Sequence, residues 1–368
     1  MEHHSNDLPW RGRAELIRAR TTSDGRLDED DVDRLLEKHG ERVALLVVSG
    51  ASNVTGFIQP IHRLARKAHR FGARILVDAA QLAPHSRIDV RPDDDPEHID
   101  FLALSAHKMY APFGTGALVG PKEVFSQSAP EYMGGGTVEM VTTDDVLWAD
   151  LPDRDEAGSP NVVGAIAMAV AAQELTETAL EGVERHESSL TAYALDRLHS
   201  IPGLTIYGAR DVGPGHERVG VISFNLSSVP HALVAAVLGY EGGIGVRSGC
   251  FCAQPYVTHL LGLSRDQQMR WRRELLSGDR SRRPGLVRVS FGAYNTFEEV
   301  DALIEMLQAI RRHKYHGNYY VDSVSGEYRP VGYQEHIADY FSLTDRTFSE
   351  RFAVSPRLSY SPGAITFH

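Results

Sequence analysis

The chain has 368 residues, 42% of them hydrophobic, enough to bury a large core and to form two domains or one with a substantial appendage. Its 38 basic against 49 acidic residues give a net charge of −11, which argues against nucleic-acid or membrane-surface binding and fits a soluble cytoplasmic enzyme. No apolar run approaches the roughly 20 residues of a membrane span, and the opening Met1-Glu2-His3-His4 has no basic-then-apolar signal pattern.

From about 43 to 120, β-rich runs alternate with amphipathic stretches. The continuous apolar run 43–48 predicts a strand buried on both faces. Residues 60–71 carry Ile61, Leu64, Ala65 and Ala68 at helical spacing, and Gly72 closes the helix. Runs 73–77 and 101–104 read as the next strands. Such alternation predicts an α/β fold: a mostly parallel sheet with helices on its faces and ligands beyond the carboxyl ends of its strands. Residues 161–199 read as long helices, and a second, smaller α/β pattern follows. It contains an alanine-rich helix near 231–238, a strand at 287–290 and an amphipathic helix at 296–312. The expected units are therefore 1–194, 195–312 and a tyrosine-rich, irregular extension at 313–368. The arginine-dense stretch 269–284 is expected to be an exposed insertion without chemistry.

The two cysteines, Cys250 and Cys252, are one residue apart, too close for a comfortable bridge, so free thiols and a reducing compartment are expected. They make only a weak metal signal, and no metal site is expected.

Three polar segments follow strands. Ser105-Ala106-His107-Lys108 lies before a glycine-rich turn, where desolvation lowers a lysine's affinity for its proton and allows Schiff-base chemistry. Ser105 and His107 offer groups for phosphate oxygens. A solvated loop lysine is the ordinary alternative. Asp78-Ala79-Ala80-Gln81 supplies a carboxylate at a neighbouring strand end, which alone would be read as a helix cap. Ser52-Asn53-Val54-Thr55-Gly56 places Asn53 near the same edge, although an isolated asparagine there is usually a turn residue.

Together with Ala157-Gly158-Ser159-Pro160-Asn161 and Arg247-Ser248-Gly249-Cys250-Phe251-Cys252-Ala253-Gln254-Pro255, these segments resemble the cysteine desulfurase and selenocysteine lyase branch of the class V aminotransferases, over roughly residues 1–310. The resemblance implies a pyridoxal 5′-phosphate (PLP) transferase of fold type I, with a large sheet covered by helices and a smaller α/β domain. It implies that Lys108 is the Schiff-base lysine and proton shuttle and that Asp78 pairs the cofactor's ring nitrogen. Gln81 and Asn53 would lie near its phenolic oxygen, Ser105 and His107 at its phosphate, and His3 on its ring. Ser159 stands where the family reaches the phosphate of a second subunit, implying a homodimer. Cys252 would take sulfur from L-cysteine as a persulfide, leaving L-alanine, and a sulfur-acceptor protein would follow. Arg288, and less directly Arg247, would bind the substrate carboxylate.

Two departures qualify the resemblance. Cys250 and Phe251 stand where bacterial desulfurases usually carry two histidines, and a Gly-Cys-Phe-Cys run resembles sulfurases that serve the molybdenum cofactor. The family also has a longer stretch before its Glu-His-His segment, so this chain is expected to lack part of the phosphate grip and of the large domain. The competing expectations are another class V transaminase, lyase or epimerase with Cys252 idle, and an inactive, truncated homologue that serves as an interaction protein.

Overall fold

The computed structural model describes residues 1–208 and 218–334. Helix α1 (Glu29–His39) starts where the Asp28 carboxylate accepts from the backbone of Asp31, and it buries Val32 and Leu36. Strand β1 (Leu45–Ser49) is followed by α2 (Ile61–His69), whose buried residues are Ile61, Leu64, Ala65 and Ala68. These are the positions that the 3.6-residue period places on one face. Fully burying a side chain such as Leu64 contributes about 1.5–3 kcal/mol. Strands β2 (Arg74–Asp78), β3 (Phe101–Ser105) and β4 (Gly116–Val119) complete a sheet of order β1-β2-β3-β4. The first three strands are parallel and β4 is antiparallel to β3.

The expectation that the first strand is buried on both faces needs correction. Leu45, Leu46 and Val47 are half-buried. Among the described residues β1 is an edge strand, and a cavity of about 400 Å³ lies against Leu45, Leu46 and Val47, with Leu36 and Trp10 also in its wall.

A short helix, α3 (Lys122–Phe125), and a hairpin of β5 (Val138–Val141) and β6 (Val146–Trp148) lead to α4 (Val162–Glu174). The Asn161 side-chain Oδ1 caps α4 by accepting from Gly164 N. A π-helical turn joins α4 to α5 (Leu180–His199), so the long helical region is one nearly continuous rod.

The second sheet is antiparallel, of order β7-β8-β10-β9, from β7 (Leu204–Tyr207), β8 (Val221–Leu226), β9 (Arg247–Gly249) and β10 (Leu286–Ser290). It packs with α6 (His231–Gly242), the carboxyl half of α5 and α9 (Phe297–Arg311) around a core centred on Phe224, Leu238, Leu307 and Ile310. The large sheet has its own core around Leu64, Ile75 and Val77. Between β9 and β10 lie α7 (Gln254–Leu260) and α8 (Arg265–Leu276). The arginine-dense stretch is thus helical as far as Leu276, in a helix opened by a capping box of Ser264 and Gln267, and its buried residue is Trp271. The extension was expected to be irregular. Its described part instead forms a hairpin of β11 (Tyr319–Val321) and β12 (Tyr328–Pro330), with Tyr315 and Tyr319 packed on the second core. Residues 335–368 lie outside the described residues.

Candidate active site

Parallel pairing sets the strand ends side by side: Ser49 is opposite Asp78, and Asp78 is opposite Ala103, two residues before Ser105. Beyond β3 the chain makes one 3-10 turn, Ala106–Met109, and Tyr110 leaves it in the left-handed region at φ 63°. The Tyr110 hydroxyl accepts from the backbone of Ala293 at 3.0 Å, tying the lysine turn to the segment after β10. Lys108 is half-buried. Burial lowers its pKa, Asp78 opposes that shift and Arg288 adds to it. An amine held this way gives up its proton more readily than a solvated lysine.

Lys108 Nζ donates to Gln81 Oε1 at 3.3 Å. Gln81 is oriented in turn. Its Nε2 lies 3.3 Å from His85 Nε2, and His85 Nδ1 lies 2.6 Å from Glu187 Oε2 on α5. A proton on His85 Nδ1 satisfies both contacts, because Nε2 then accepts from the amide and the amide oxygen is left for Lys108. Asp78 Oδ1 accepts from the backbone of Ala80, as a cap would, and its charge reaches both Lys108 and His3.

The first residues of the chain are clamped to this edge. Half-buried Glu2 accepts from the Ser49 backbone (3.1 Å), the Ser49 hydroxyl (2.7 Å) and Asn6 Nδ2 (2.6 Å), and desolvation pushes its carboxyl up. That clamp sets His3 within the field of Lys108 and Asp78. Burial, then Lys108, lower the His3 pKa, and Asp78 opposes them. His4 holds the cysteine loop: its backbone N–H donates to Cys252 O at 2.6 Å, and its Nε2 accepts from Gln254 N at 3.2 Å.

Phe251 and Cys252 are both left-handed, at φ 52° and 55°. Bulky residues adopt this conformation only where their surroundings enforce it. Asn53 Nδ2 donates to Phe251 O at 2.7 Å, Arg288 Nη1 donates to Asn53 O at 2.9 Å, and the Arg288 guanidinium lies 5.1 Å from the Phe251 ring centre. Cys252 is exposed. Cys250 is half-buried, with Sγ 3.3 Å from Pro284 O, and burial pushes its thiol up to about 11. One thiol is therefore held protonated while its neighbour faces solvent. Burial and then Arg247 lower Arg288 to about 10, and Arg288 Nε is buried without a hydrogen-bond partner among the described residues. Arg247 is exposed and stands opposite Arg288 in the β9–β10 register.

A family model described as "Aminotransferase class-V" matches residues 1–303. The chain belongs to the class V aminotransferase family. Within this family it is 36% identical over 318 residues to a probable cysteine desulfurase of Halalkalibacterium halodurans, covering 85% of this chain and 70% of that one. It is 34% identical over 316 residues to a cysteine desulfurase of Haloferax volcanii, covering 84% and 66%. Among solved structures, the apo cysteine desulfurase of Thermococcus onnurineus aligns at TM-score 0.70 with 32% identity, over 85% of this chain and 71% of that one. Escherichia coli CsdA, a cysteine desulfurase, aligns at 0.70 with 30% identity, over 86% and 71%.

The donor set fits the PLP that class V membership implies. It provides a desolvated lysine, a strand-end carboxylate in its field, an amide whose oxygen already faces that lysine, and an imidazole beside both. His3, Asn53, Asp78, Gln81, Lys108, Cys252 and Arg288 are linked by these bonds and fields. Ser105 Oγ and His107 Nδ1 pair with each other at 2.9 Å on the exposed side of the lysine turn. Ser159 is exposed in the turn before α4 and has no hydrogen bond to the other site residues among those described. Reading the sequence passed over Glu2, His4, His85 and Glu187. Glu2 and His4 flank a residue that it did select, but Glu187 lies 102 positions from His85 and leaves no local signal.

Proposed function

We infer that the chain is a PLP-dependent cysteine desulfurase that converts L-cysteine to L-alanine and takes the sulfur on Cys252. The observation that carries this reading is the position of the cysteine loop. An exposed thiol is held in a strained turn by Asn53 and His4, and Asn53 is bonded to the arginine whose charge reaches Lys108.

Asp78, Gln81, His3 and Asn53 would hold the cofactor ring at Lys108, and Ser105, His107 and Ser159 its phosphate. When bound, PLP supplies an electron sink that labilises bonds at the substrate's α- and β-carbons. Lys108 Nζ, its proton affinity lowered by burial, takes and returns the α-proton. Arg288 would receive the substrate carboxylate through guanidinium N–H groups that Asn53 O does not take, and Arg247 adds positive charge at the rim. Cys252 Sγ bonds to the substrate sulfur as the carbon–sulfur bond breaks. The bonding electrons remain on the β-carbon, which takes a proton to become the methyl group of alanine. Enzyme thiol and cysteine thus give enzyme persulfide and alanine, with no oxidant consumed.

The reading includes a homodimer. The exposed apolar side chains Val162, Val163, Ile166 and Val170 on α4, directly after Ser159, support it. It also includes a sulfur-acceptor protein that meets exposed Cys252, and a cytoplasmic setting that the two free thiols suit. Among the described residues no helix is long and apolar enough to cross a membrane. The two cores support a large and a small unit, but Leu190 and Ala194 of α5 already belong to the second core and Tyr315 and Tyr319 of the extension pack on it, so the small unit begins within α5 and takes in the start of the extension.

The test is alanine formation from L-cysteine with PLP and a thiol reductant. Equal yields of alanine and sulfide, both lost in Cys252→Ala, are expected. Undiminished alanine from that variant would exclude Cys252 as the sulfur acceptor.

A further inference from the structure

At the amino-terminal end of β2 and β3, opposite Lys108, three side chains converge that the chemistry above does not use. His69 closes α2, and His98 and Asp100 lie in the connection entering β3. Their ligand-capable atoms lie within 4.8 Å of one another. His69 Nε2 is 2.9 Å from Asp100 Oδ2, and His98 Nε2 is 3.4 Å from Asp100 Oδ1. The two imidazoles stack, with centroids 4.3 Å apart and planes 23° from parallel, so both Nε2 atoms address the same carboxylate.

The other ring nitrogens fix the tautomers. His69 Nδ1 is 2.8 Å from the Pro96 carbonyl, and His98 Nδ1 is 2.7 Å from the Asp95 carbonyl. A carbonyl only accepts, so each ring carries a proton on Nδ1. A neutral ring then aims its Nε2 lone pair at carboxylate oxygens, which are also acceptors. A proton on His69 Nε2 relieves the closer contact, and one cation shared among the three groups relieves both. One divalent ion leaves both rings neutral.

An Nδ1–H donated to a carbonyl, with Nε2 turned to the ion, is how metal-binding histidines are held. Asp100 is held as well, its Oδ2 accepting from Ile75 N at 2.8 Å. Nearby Glu97 is engaged by Arg66 and Arg91 and is not counted as a ligand. Tetrahedral zinc, with bonds of about 2.0–2.1 Å, separates its ligand atoms by about 3.3 Å. The 2.9 and 3.4 Å contacts fall on the two different oxygens of Asp100, and one ligand atom from each of the three residues lies within 4.8 Å of the others, so small side-chain shifts suffice to gather them around one ion. The carbonyl end of α2 adds a favourable field for a cation at His69.

We propose that His69, His98 and Asp100 form a divalent-cation site of the kind zinc occupies, with two imidazole nitrogens, one carboxylate and solvent in the remaining position. Any Nε2 protons leave to solvent as the ion binds. The ion clamps the end of α2 to the entry of β3, a strand's length (roughly 15 Å) from the lysine end of the sheet.

Co²⁺ is the probe, added to metal-free full-length protein carrying Cys250→Ser and Cys252→Ser so that thiolates do not compete. One equivalent should develop intense visible absorption and be displaced by Zn²⁺. In the same background His69→Gln and His98→Gln should each weaken cobalt binding by at least about tenfold. The double variant should lose that equivalent, together with the zinc-dependent rise in thermal midpoint. Unchanged cobalt binding by the folded double variant, verified by circular dichroism, overturns the proposal. If the variants do not fold, the imidazole ¹⁵N resonances of the parent decide. A shift of two Nε2 signals on adding Zn²⁺ supports the site, and unmoved signals overturn it.

Discussion

Lys108 and Asp78 stand at the ends of neighbouring parallel strands, where register alone brings them together. Cys252 stands in a loop of the second sheet, placed by Asn53 and His4 through contacts that span 198 and 250 positions. The first half of the site follows from local folding: once β2 and β3 pair, the carboxylate and the amine share an edge. The second half exists only when three distant segments dock together. Substitutions should therefore divide cleanly. Changes at the strand ends should abolish chemistry without moving the loop, and changes in the docking segments should misplace the thiol without touching the lysine.

The largest effect tests the strand-end half. Lys108→Ala should lower alanine formation by roughly 10²- to 10⁴-fold, the span of a lost acid–base group, with an unchanged circular dichroism spectrum. Next, the two thiols should behave oppositely. Cys252→Ala should abolish sulfur release and Cys250→Ala should retain it. Mass spectrometry after brief alkylation at pH 8 should find label on Cys252 before Cys250, whose buried thiol stays protonated up to about pH 11. Equal labelling would erase the distinction between them.

His4→Ala tests the docking. It removes the acceptor for Gln254 N, a net loss of about 1 kcal/mol. Alanine formation should fall by roughly five- to tenfold if that energy is spent holding the loop, while Lys108 and Asp78 keep their places. A rate equal to the parent's would show that the loop is held without His4. The smallest effect is on pH dependence. The folded His3 lies below its ordinary value of about 6.5. The unfolded chain therefore takes up the proton first, and stability falls as pH drops from about 6.5 toward the folded value. Urea unfolding between pH 5 and 7.5 should show this slope reduced in His3→Gln.

The α2 face, the three parallel strands and the Asp78–Lys108 pairing were legible because each depends on a short-range period or on adjacent strand ends. The edge position of β1 was not, since an apolar run reads the same in the middle of a sheet as beside a cavity. The hairpin Tyr319–Val321 and Tyr328–Pro330 escaped notice because its packing partners lie in a distant core. The support of Gln81 by His85 and Glu187 escaped for the same reason: α5 approaches β2 only in the folded molecule. A pair one residue apart, Cys250 and Cys252, looked symmetric until burial separated them.

By itself the sequence determined the α/β alternation, the strand-end carboxylate and lysine, and the motif order that marks class V. Helix and strand periods and short polar turns are local properties, written in consecutive residues. Tertiary structure alone decided which thiol is exposed, how Glu2 and His4 clamp the site, and that His69 and His98 meet over Asp100. Each of these depends on burial and on hydrogen-bond partners brought together from separate elements, and long-range packing, not local spacing, sets those distances.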